Sequence, residues 1–314
     1  MIKKRYLPFI LLCVTLIVGA TITPHPQPSK SNGEFELVII HTNDFHGYDY
    51  DLLARKSTII RDVRAKHAHV LLLEGGDIFS RGKYHHQFYG TLEMDVLNLM
   101  RYDAWVLGNN EMKCSPTEEE TDRRIKTLVE MANFPTLGGN MTLKTTNDFF
   151  PGTQPYVIVD RGGVKIAIIS TTSMKIKGYA QAKNKQLTDP LLSARKQLKE
   201  VSPKSDIQIL LSHSGILADK IIGDTLGLEG LDGIVGSDTH IALEKPLIST
   251  SGVPIVQAGG EINQYVGVLK LYFRKKNNQW KLVRSEGELI KPDRKTIKDK
   301  ETEQIINTYL ERLK

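Results

Sequence analysis

Crosslinking chemistry is almost missing from this chain. It has two cysteines in 314 residues, and Cys13 lies in the N-terminal apolar segment. Once that segment is set aside, Cys114 has no intrachain partner, so no disulfide scaffold is available. Cys114 reads as a plain buried or semi-exposed thiol rather than a nucleophile. No internal repeat is evident, and no nucleic-acid-binding motif. Bias is lacking too: apolar residues make up 40% and charged residues 25%, which excludes disorder, collagen and coiled coil for most of the chain. A length near 300 residues buries enough apolar surface to fold without crosslinks or a structural metal.

The net charge of +6 is confined to the two ends. Residues 1–20 carry Lys3, Lys4 and Arg5 and no acid. Residues 268–314 carry thirteen bases against seven acids. The body, 21–267, carries twenty-six bases against twenty-nine acids. A slightly acidic body argues against duplex nucleic acid as a partner. Residues 1–20 read as an export signal: a basic start, an apolar run from Tyr6 to Val18, and small residues at Val18-Gly19-Ala20. The alternative is an uncleaved membrane anchor, since Tyr6 to Ile22 spans seventeen residues. Either makes the protein extracytoplasmic: periplasmic, secreted or anchored. Residues 21–33 (TITPHPQPSKSNG) form a spacer without periodicity.

From residue 34 onward, short apolar runs alternate with helical spacing. Strands are expected at 35–41, 70–73 and 105–107, with helices at 51–67, 90–100 and 117–132. Strands at 156–159 and 164–170 flank the turn Arg161-Gly162-Gly163. A helix at 190–201 and strands at 207–211, 233–235, 254–257, 265–273 and 280–283 follow, the last two joined by a turn at 276–279. A final amphipathic helix covers 300–313. Alternation in the first half predicts parallel pairing, and strand pairs in the second half predict mixed sheets.

Five strand ends carry groups that bind cations: Asp44 and His46, Asp77, Asn109, His213, and Asp238 and His240. In open α/β sheets, ligands gather beyond the carboxyl ends of strands. A set of carboxylates, an amide oxygen and imidazoles suits divalent Mn, Fe, Zn or Mg rather than a thiolate site. Seven donors exceed what one ion needs and fit two ions bridged by one carboxylate. Each residue alone is an ordinary turn former; the joint placement carries the expectation. His41, His85, His86, Arg81 and Lys83 are weaker candidates for the same region.

In order, HTNDFHG (41–47), EGGDIF (74–79), GNNE (108–111), LSHSG (211–215) and GSDTH (236–240) resemble the five-block signature of the calcineurin-like metallophosphoesterases. With FPTLGGN (134–140) and GVPIVQAGG (252–260), the chain is similar to the N-terminal catalytic domain of the 5′-nucleotidase and 2′,3′-cyclic phosphodiesterase family. The resemblance implies a four-layer α/β/β/α metallophosphatase sandwich over 34–290, with 291–314 as a helical tail and no C-terminal nucleotidase domain. It implies that Asp44, His46, Asp77 and His240 hold one divalent ion, and that Asp77, Asn109, His213 and Asp238 hold the other. Such ions would polarise phosphoryl oxygens and supply a hydroxide nucleophile, giving a phosphate mono- or diesterase with nucleotides as one candidate substrate class.

Three positions in two blocks depart from that pattern. The usual Gly-Asn-His-Glu block has Asn110 in place of its His, and Lys113 stands where an Asp normally orients that His. An amide donates hydrogen bonds but delivers no proton at neutral pH. Lys113 could supply positive charge to phosphate or be a solvated lysine, so Asn109, Asn110 and Lys113 are the candidate catalytic residues. The usual Gly-His-x-His block has Asp238 in place of its first His, which adds negative charge and favours Mn, Mg or Ca over Zn. The competing expectation is a catalytically degenerate relative that binds a phosphate-bearing ligand or a protein partner.

Overall fold

The computed structural model describes residues 33–314. The candidate signal or anchor at 1–20 and the spacer at 21–33, Gly33 excepted, lie outside the described residues. Among the described residues no helix is long and apolar enough to cross a membrane.

Two mixed sheets stack face to face, and helices cover both outer faces. The first sheet has Glu34–Thr42 beside Val70–Glu74, Ala104–Val106, Thr136–Leu137 and Thr153–Gln154, all parallel. Its other edge is the antiparallel pair Val266–Lys276 and Gln279–Ile290. The second sheet runs Ile207–Ser212 parallel to Val164–Thr171 and Gly233–Val235, with antiparallel Tyr156–Arg161 and Leu247–Ile248 at its edges.

Period-two alternation sorts each strand between two interiors. Leu37, Ile39, Leu71, Leu73 and Val106 meet Ile166, Ile168, Ile209, Leu211 and Val235 between the sheets. Val38, Ile40, Leu72 and Trp105 face the helices Tyr50–Arg64, Thr91–Met100 and Glu118–Met131. Ala167, Ile169, Leu210, Ile234 and Ile255 face Pro190–Val201 and Ile216–Leu226. Strands buried on both faces are apolar at nearly every position, which is why VLLL reads as an unbroken run and IQILL is interrupted only by Gln208. The four-layer α/β/β/α expectation is met, with mixed sheets.

Differences from the sequence expectation have local causes. The helix expected at 90–100 is preceded by a separate turn, His85–Phe88, because Tyr89 (φ 47°) and Gly90 (φ 86°) are left-handed. The last strand is Gln279–Ile290 rather than 280–283; it is a polar edge strand whose exposed Lys, Arg and Glu hide its alternation. Asn277 (φ 50°) and Asn278 (φ 62°) make the two-residue turn into it. The helix Ile216–Leu226 follows Gly215, which offers no side-chain cap, so nothing announced its start. The final helix, Lys300–Glu311, packs into the outer layer. Ile306 and Tyr309 are buried, Tyr309 Oη reaches Asp95 Oδ2 at 2.6 Å, and Thr302 Oγ1 reaches Ser57 Oγ at 2.9 Å.

That docking predicts that Ile306→Ala destabilises the protein by roughly 2–4 kcal/mol, the cost of a cavity in a packed layer. Chemical denaturation measures it, and a loss below about 0.5 kcal/mol would mean that the helix contributes nothing to the core.

Candidate metal centre

Each donor is placed by a strand that ends and a loop that turns sharply. Asp44 and His46 follow Glu34–Thr42, and Asp77 follows Val70–Glu74. Asn109 follows Ala104–Val106, His213 follows Ile207–Ser212, and Asp238 and His240 follow Gly233–Val235. Asp44 (φ 51°), His46 (55°), Asp77 (55°), Asp238 (73°) and His240 (55°) all adopt left-handed backbone. Non-glycine residues hold that conformation at a cost, and its clustering here marks a site where side-chain direction matters more than backbone comfort. Close packing locks the loops together. A side chain at Gly76 (φ 92°) would meet Val106 O at 2.7 Å and His213 Nδ1 at 2.8 Å, and one at Gly108 would overlap Asp77 itself.

The donors converge into two adjoining groups. In the first, Asp44, His46 and His240 place one ligand atom each within 4.8 Å of one another. His46 Nε2 faces His240 Nε2 at 3.3 Å and Asp77 Oδ2 at 3.7 Å, and His240 Nε2 lies 3.2 Å from Asp44 Oδ1. In the second, Asp44, Asp77 and His213 satisfy the same distance. His213 Nε2 lies 3.4 Å from Asp77 Oδ2 and 3.7 Å from Asp238 Oδ1. By distance, Asp44 belongs to both groups, while Asp77 belongs to the second and touches the first through His46.

The lone pairs are oriented as a cation site requires. Asp44 Oδ1 is buried and accepts no aligned hydrogen bond. His213 turns Nδ1 to Gly75 O at 2.6 Å and Ser237 Oγ at 2.9 Å. With that nitrogen donating, Nε2 is left to hold a proton or a metal. The Asn109 amide has two orientations. In one, Nδ2 donates to Tyr179 Oη at 2.8 Å and the carbonyl oxygen faces Asp238 Oδ1 at 2.7 Å, two acceptors that a shared cation reconciles. In the other, the amide nitrogen donates to Asp238 Oδ1 and the oxygen accepts from Tyr179 Oη and Asn110. The donor set and its unpaired acceptors fit divalent ions.

A support layer surrounds these groups. Glu111 accepts the backbone N–H groups of Asp77 (3.1 Å), Ile78 (2.7 Å) and Gly108 (2.8 Å), tying the second and third blocks into one unit. Asn43 Nδ2 donates to Asp44 Oδ2 (2.7 Å) and Gly259 O (2.6 Å), while its Oδ1 accepts from Ala258 N (2.9 Å). Gln257 donates to Ser237 O (2.9 Å) and accepts from Thr239 Oγ1 (2.9 Å) and Ile241 N (2.6 Å), clamping the last block. The sequence motifs contain these residues but gave them no role. Two others lay outside the motifs altogether: Tyr179, against Asn109, and Lys175, paired with Asp238.

Asn110 donates from its backbone N–H to Asp77 Oδ1 at 2.7 Å and from its side chain to Asp77 Oδ2. Lys113 packs its ammonium over the Tyr179 ring at 4.6 Å, one residue removed from the donors. Arg81 pairs with Glu261, whose Oε1 lies 4.0 Å from His46 Nε2. His41 is buried under the site, and burial lowers its pKa to about 3. His85 Nε2 donates to Cys114 O (3.0 Å) and meets the His86 and Tyr89 rings at a tilt, away from the seven donors' contacts.

Charge is balanced by mutual pairing. Burial alone would raise the Asp77 carboxyl, but His213, His46 and the Asn110 amide override it and hold the group well below the usual carboxylate range. Burial alone would lower His213, but Asp77, with Asp44 and Asp238, carries it well above the usual imidazole range. Burial keeps His46 low against the pull of Asp77 and Asp44, while the contact with Asp44 raises His240.

The sequence profile of the calcineurin-like phosphoesterase family matches residues 37–242. Snake venom 5′-nucleotidase of Crotalus adamanteus is 29% identical over 323 residues, covering 89% of this chain and 52% of that protein. The trifunctional nucleotide phosphoesterase protein YfkN of Bacillus subtilis is 27% identical over 281 residues, covering 80% of this chain and 19% of its own length. The chain thus spans about half or less of these relatives. Among solved structures, a 5′-nucleotidase precursor from Thermus thermophilus superposes with TM-score 0.77 at 22% identity, covering 89% of this chain and 59% of that one. The calcineurin-like phosphoesterase YfkN from Bacillus subtilis gives TM-score 0.71 at 21% identity, covering 89% of this chain and 99% of that one. These two structures share the fold.

The pairing has a consequence for pH. Asp77 favours the protonated form of His213 when no metal is bound, and the stability this contributes is present in acid and lost as pH rises through the raised value. Metal must displace that proton. Uptake of Mn²⁺ at pH 7 is expected to release about one proton or more per chain and to weaken as pH falls. Calorimetry in buffers of different ionisation enthalpy reads the release, and heats independent of buffer would contradict it.

Proposed function

The chain belongs to the calcineurin-like phosphoesterase family, and on that footing we propose that it is an exported hydrolase of phosphate mono- or diesters that uses two divalent metal ions, with nucleotides as its candidate substrate class. The observation that carries the proposal is the convergence of seven oxygen and nitrogen donors from five strand ends, with Asp44 Oδ1 accepting no aligned hydrogen bond and His213 Nε2 turned inward. Asp44, His46, Asp77 and His240 would hold one ion; Asp77, Asn109, His213 and Asp238 would hold the other. Bound ions would withdraw charge from the phosphoryl oxygens and make a water acidic enough to attack phosphorus. The nucleotide class is suggested by the names of the venom and Bacillus relatives. Export rests on residues 1–20 of the sequence. We take 34–290 as the catalytic unit, with the helix Lys300–Glu311 packed on it.

The chain's own residues then set which esters it turns over. Asn110, with both its N–H and its amide on Asp77, orients that carboxylate and donates hydrogen bonds, but it has no proton to give a departing alkoxide. Lys113, held over Tyr179, does not replace the missing acid. Leaving groups that depart as stable anions are therefore favoured, because general acid help is worth about 10²–10⁴-fold. A second reading, a degenerate family member that binds phosphate without turnover, is favoured by the same departures at Asn110, Lys113 and Asp238.

Activity of the Mn²⁺-loaded chain toward an aryl phosphodiester and an alkyl phosphomonoester separates them. The aryl ester is expected to be hydrolysed at least about 10²-fold faster, and Asp77→Asn to abolish both metal retention and turnover. The double change Asn110→His with Lys113→Asp is expected to raise alkyl monoester hydrolysis by roughly 10²-fold. Metal retention without hydrolysis of any ester, before or after that change, would favour the binding role instead.

A further inference from the structure

We propose that Lys175 is an internal counter-cation that competes with the second metal ion for Asp238, so that the two metal positions fill at well-separated concentrations. The proposal rests on the two-metal reading and concerns what this chain has done to one half of it.

The geometry is specific. Lys175 Nζ lies 2.9 Å from Asp238 Oδ1 and 3.0 Å from Oδ2, taking both carboxylate oxygens at once. Asp238 is almost wholly buried, with 5% of its side chain exposed, whereas Lys175 is 58% exposed and reaches in from the mouth of the site. The lysine is not free to wander. Its backbone N–H donates to Ser173 Oγ at 3.3 Å at the start of the turn Met174–Gly178, which is anchored by buried Ile176. Oδ1, one of the two oxygens taken by Lys175, is the one facing His213 Nε2 at 3.7 Å and the Asn109 amide at 2.7 Å. Asp238 therefore has a complete set of protein partners without metal: the ammonium of Lys175 and, in one of its two orientations, the amide nitrogen of Asn109. No such set serves the first position, where Asp44 Oδ1 lacks an aligned donor and two imidazole nitrogens face each other at 3.3 Å.

Charge explains why the lysine belongs there. Asp238 stands where the resembling signature has a neutral imidazole, and it adds a negative charge beside Asp77. The Asp238–Lys175 pair restores the local charge to that of the imidazole. A metal entering the second position must either draw Asp238 away from Lys175 or share it with an ammonium close by. A double and a single positive charge about 4 Å apart repel enough, even in water-like surroundings, to shift an equilibrium by roughly tenfold or more. At the first position Asp44 pairs with imidazoles, and the nearby Arg81 is held by Glu261 rather than by one of the expected ligands. Lys175 thereby acts as a positioning residue for Asp238 when the second position is vacant, and as a brake on filling it.

Titration of the metal-free full chain with Mn²⁺ alone tests this, read by calorimetry and by the paramagnetic resonance signal of an exchange-coupled Mn pair. In the unmodified protein the second ion is expected to bind at least about tenfold more weakly than the first. Lys175→Met keeps the length and removes the charge. It is expected to tighten the second step about tenfold or more, leave the first unchanged, and bring out the coupled signal near two equivalents. Lys175→Arg is expected to keep the unmodified pattern. Because Lys175 lies at the surface, the fold survives these changes, and a thermal melt verifies it. A second step that stays within about twofold in Lys175→Met, or two equal steps in the unmodified protein, would overturn the inference while leaving the two-metal reading intact. Absence of any Mn²⁺ binding would overturn both.

Discussion

Everything at this centre depends on one buried carboxylate. Asp77 carries a negative charge in a place that water does not reach, and such a charge is tolerated only when it is surrounded by donors or cations. The protein supplies them from four directions: the Asn110 backbone and amide, His213 and His46. Glu111 fixes the backbone beneath it through three N–H groups. Asp77 also lies between the imidazoles of the two donor groups, 3.7 Å from His46 Nε2 and 3.4 Å from His213 Nε2.

The rest of the fold keeps that carboxylate in register. Parallel strands buried on both faces all end at one rim, so residues nearly two hundred positions apart become neighbours, as His46 and His240 do. Apolar layers hold the strands without any crosslink, which is why a chain with one cysteine among its described residues needs no other staple. The last turn of each strand is where backbone comfort is given up. Left-handed Asp44, His46, Asp77, Asp238 and His240 are stabilised by neighbours such as Asn43 and Gln257 rather than by their own propensity.

Much of this was legible in the sequence, and the parts that were not share a cause. The strands that carry donors were visible because burial on both faces gives each a short, mostly apolar run, and the donors were visible because they stand next to those runs. Edge strands and helices without caps were less visible: Gln279–Ile290 alternates charge with half-buried residues, and Ile216–Leu226 starts at an uncapped Gly215. Asn43, Ser237, Glu111 and Gln257 lay inside the motifs, yet their roles emerge only when the loops are seen to touch. Lys175 and Tyr179 gave no signal at all. They lie within and just after the short turn Met174–Gly178, more than sixty residues from their partners, and only tertiary contact makes them part of the site.

The departures at Asn110, Lys113 and Asp238 act together on charge and proton supply, not on the scaffold. They leave the donor cradle in place, put an amide where the resembling signature has an imidazole, and put a carboxylate paired with lysine where it has another. The most direct measurement of the central claim is anomalous diffraction from crystals of the protein soaked in Mn²⁺. A strong peak bonded to Asp44, His46, Asp77 and His240, and a second, weaker one among Asp77, Asn109, His213 and Asp238, is the predicted result. A soaked crystal with no peak at these residues, or with manganese only elsewhere on the surface, would contradict it.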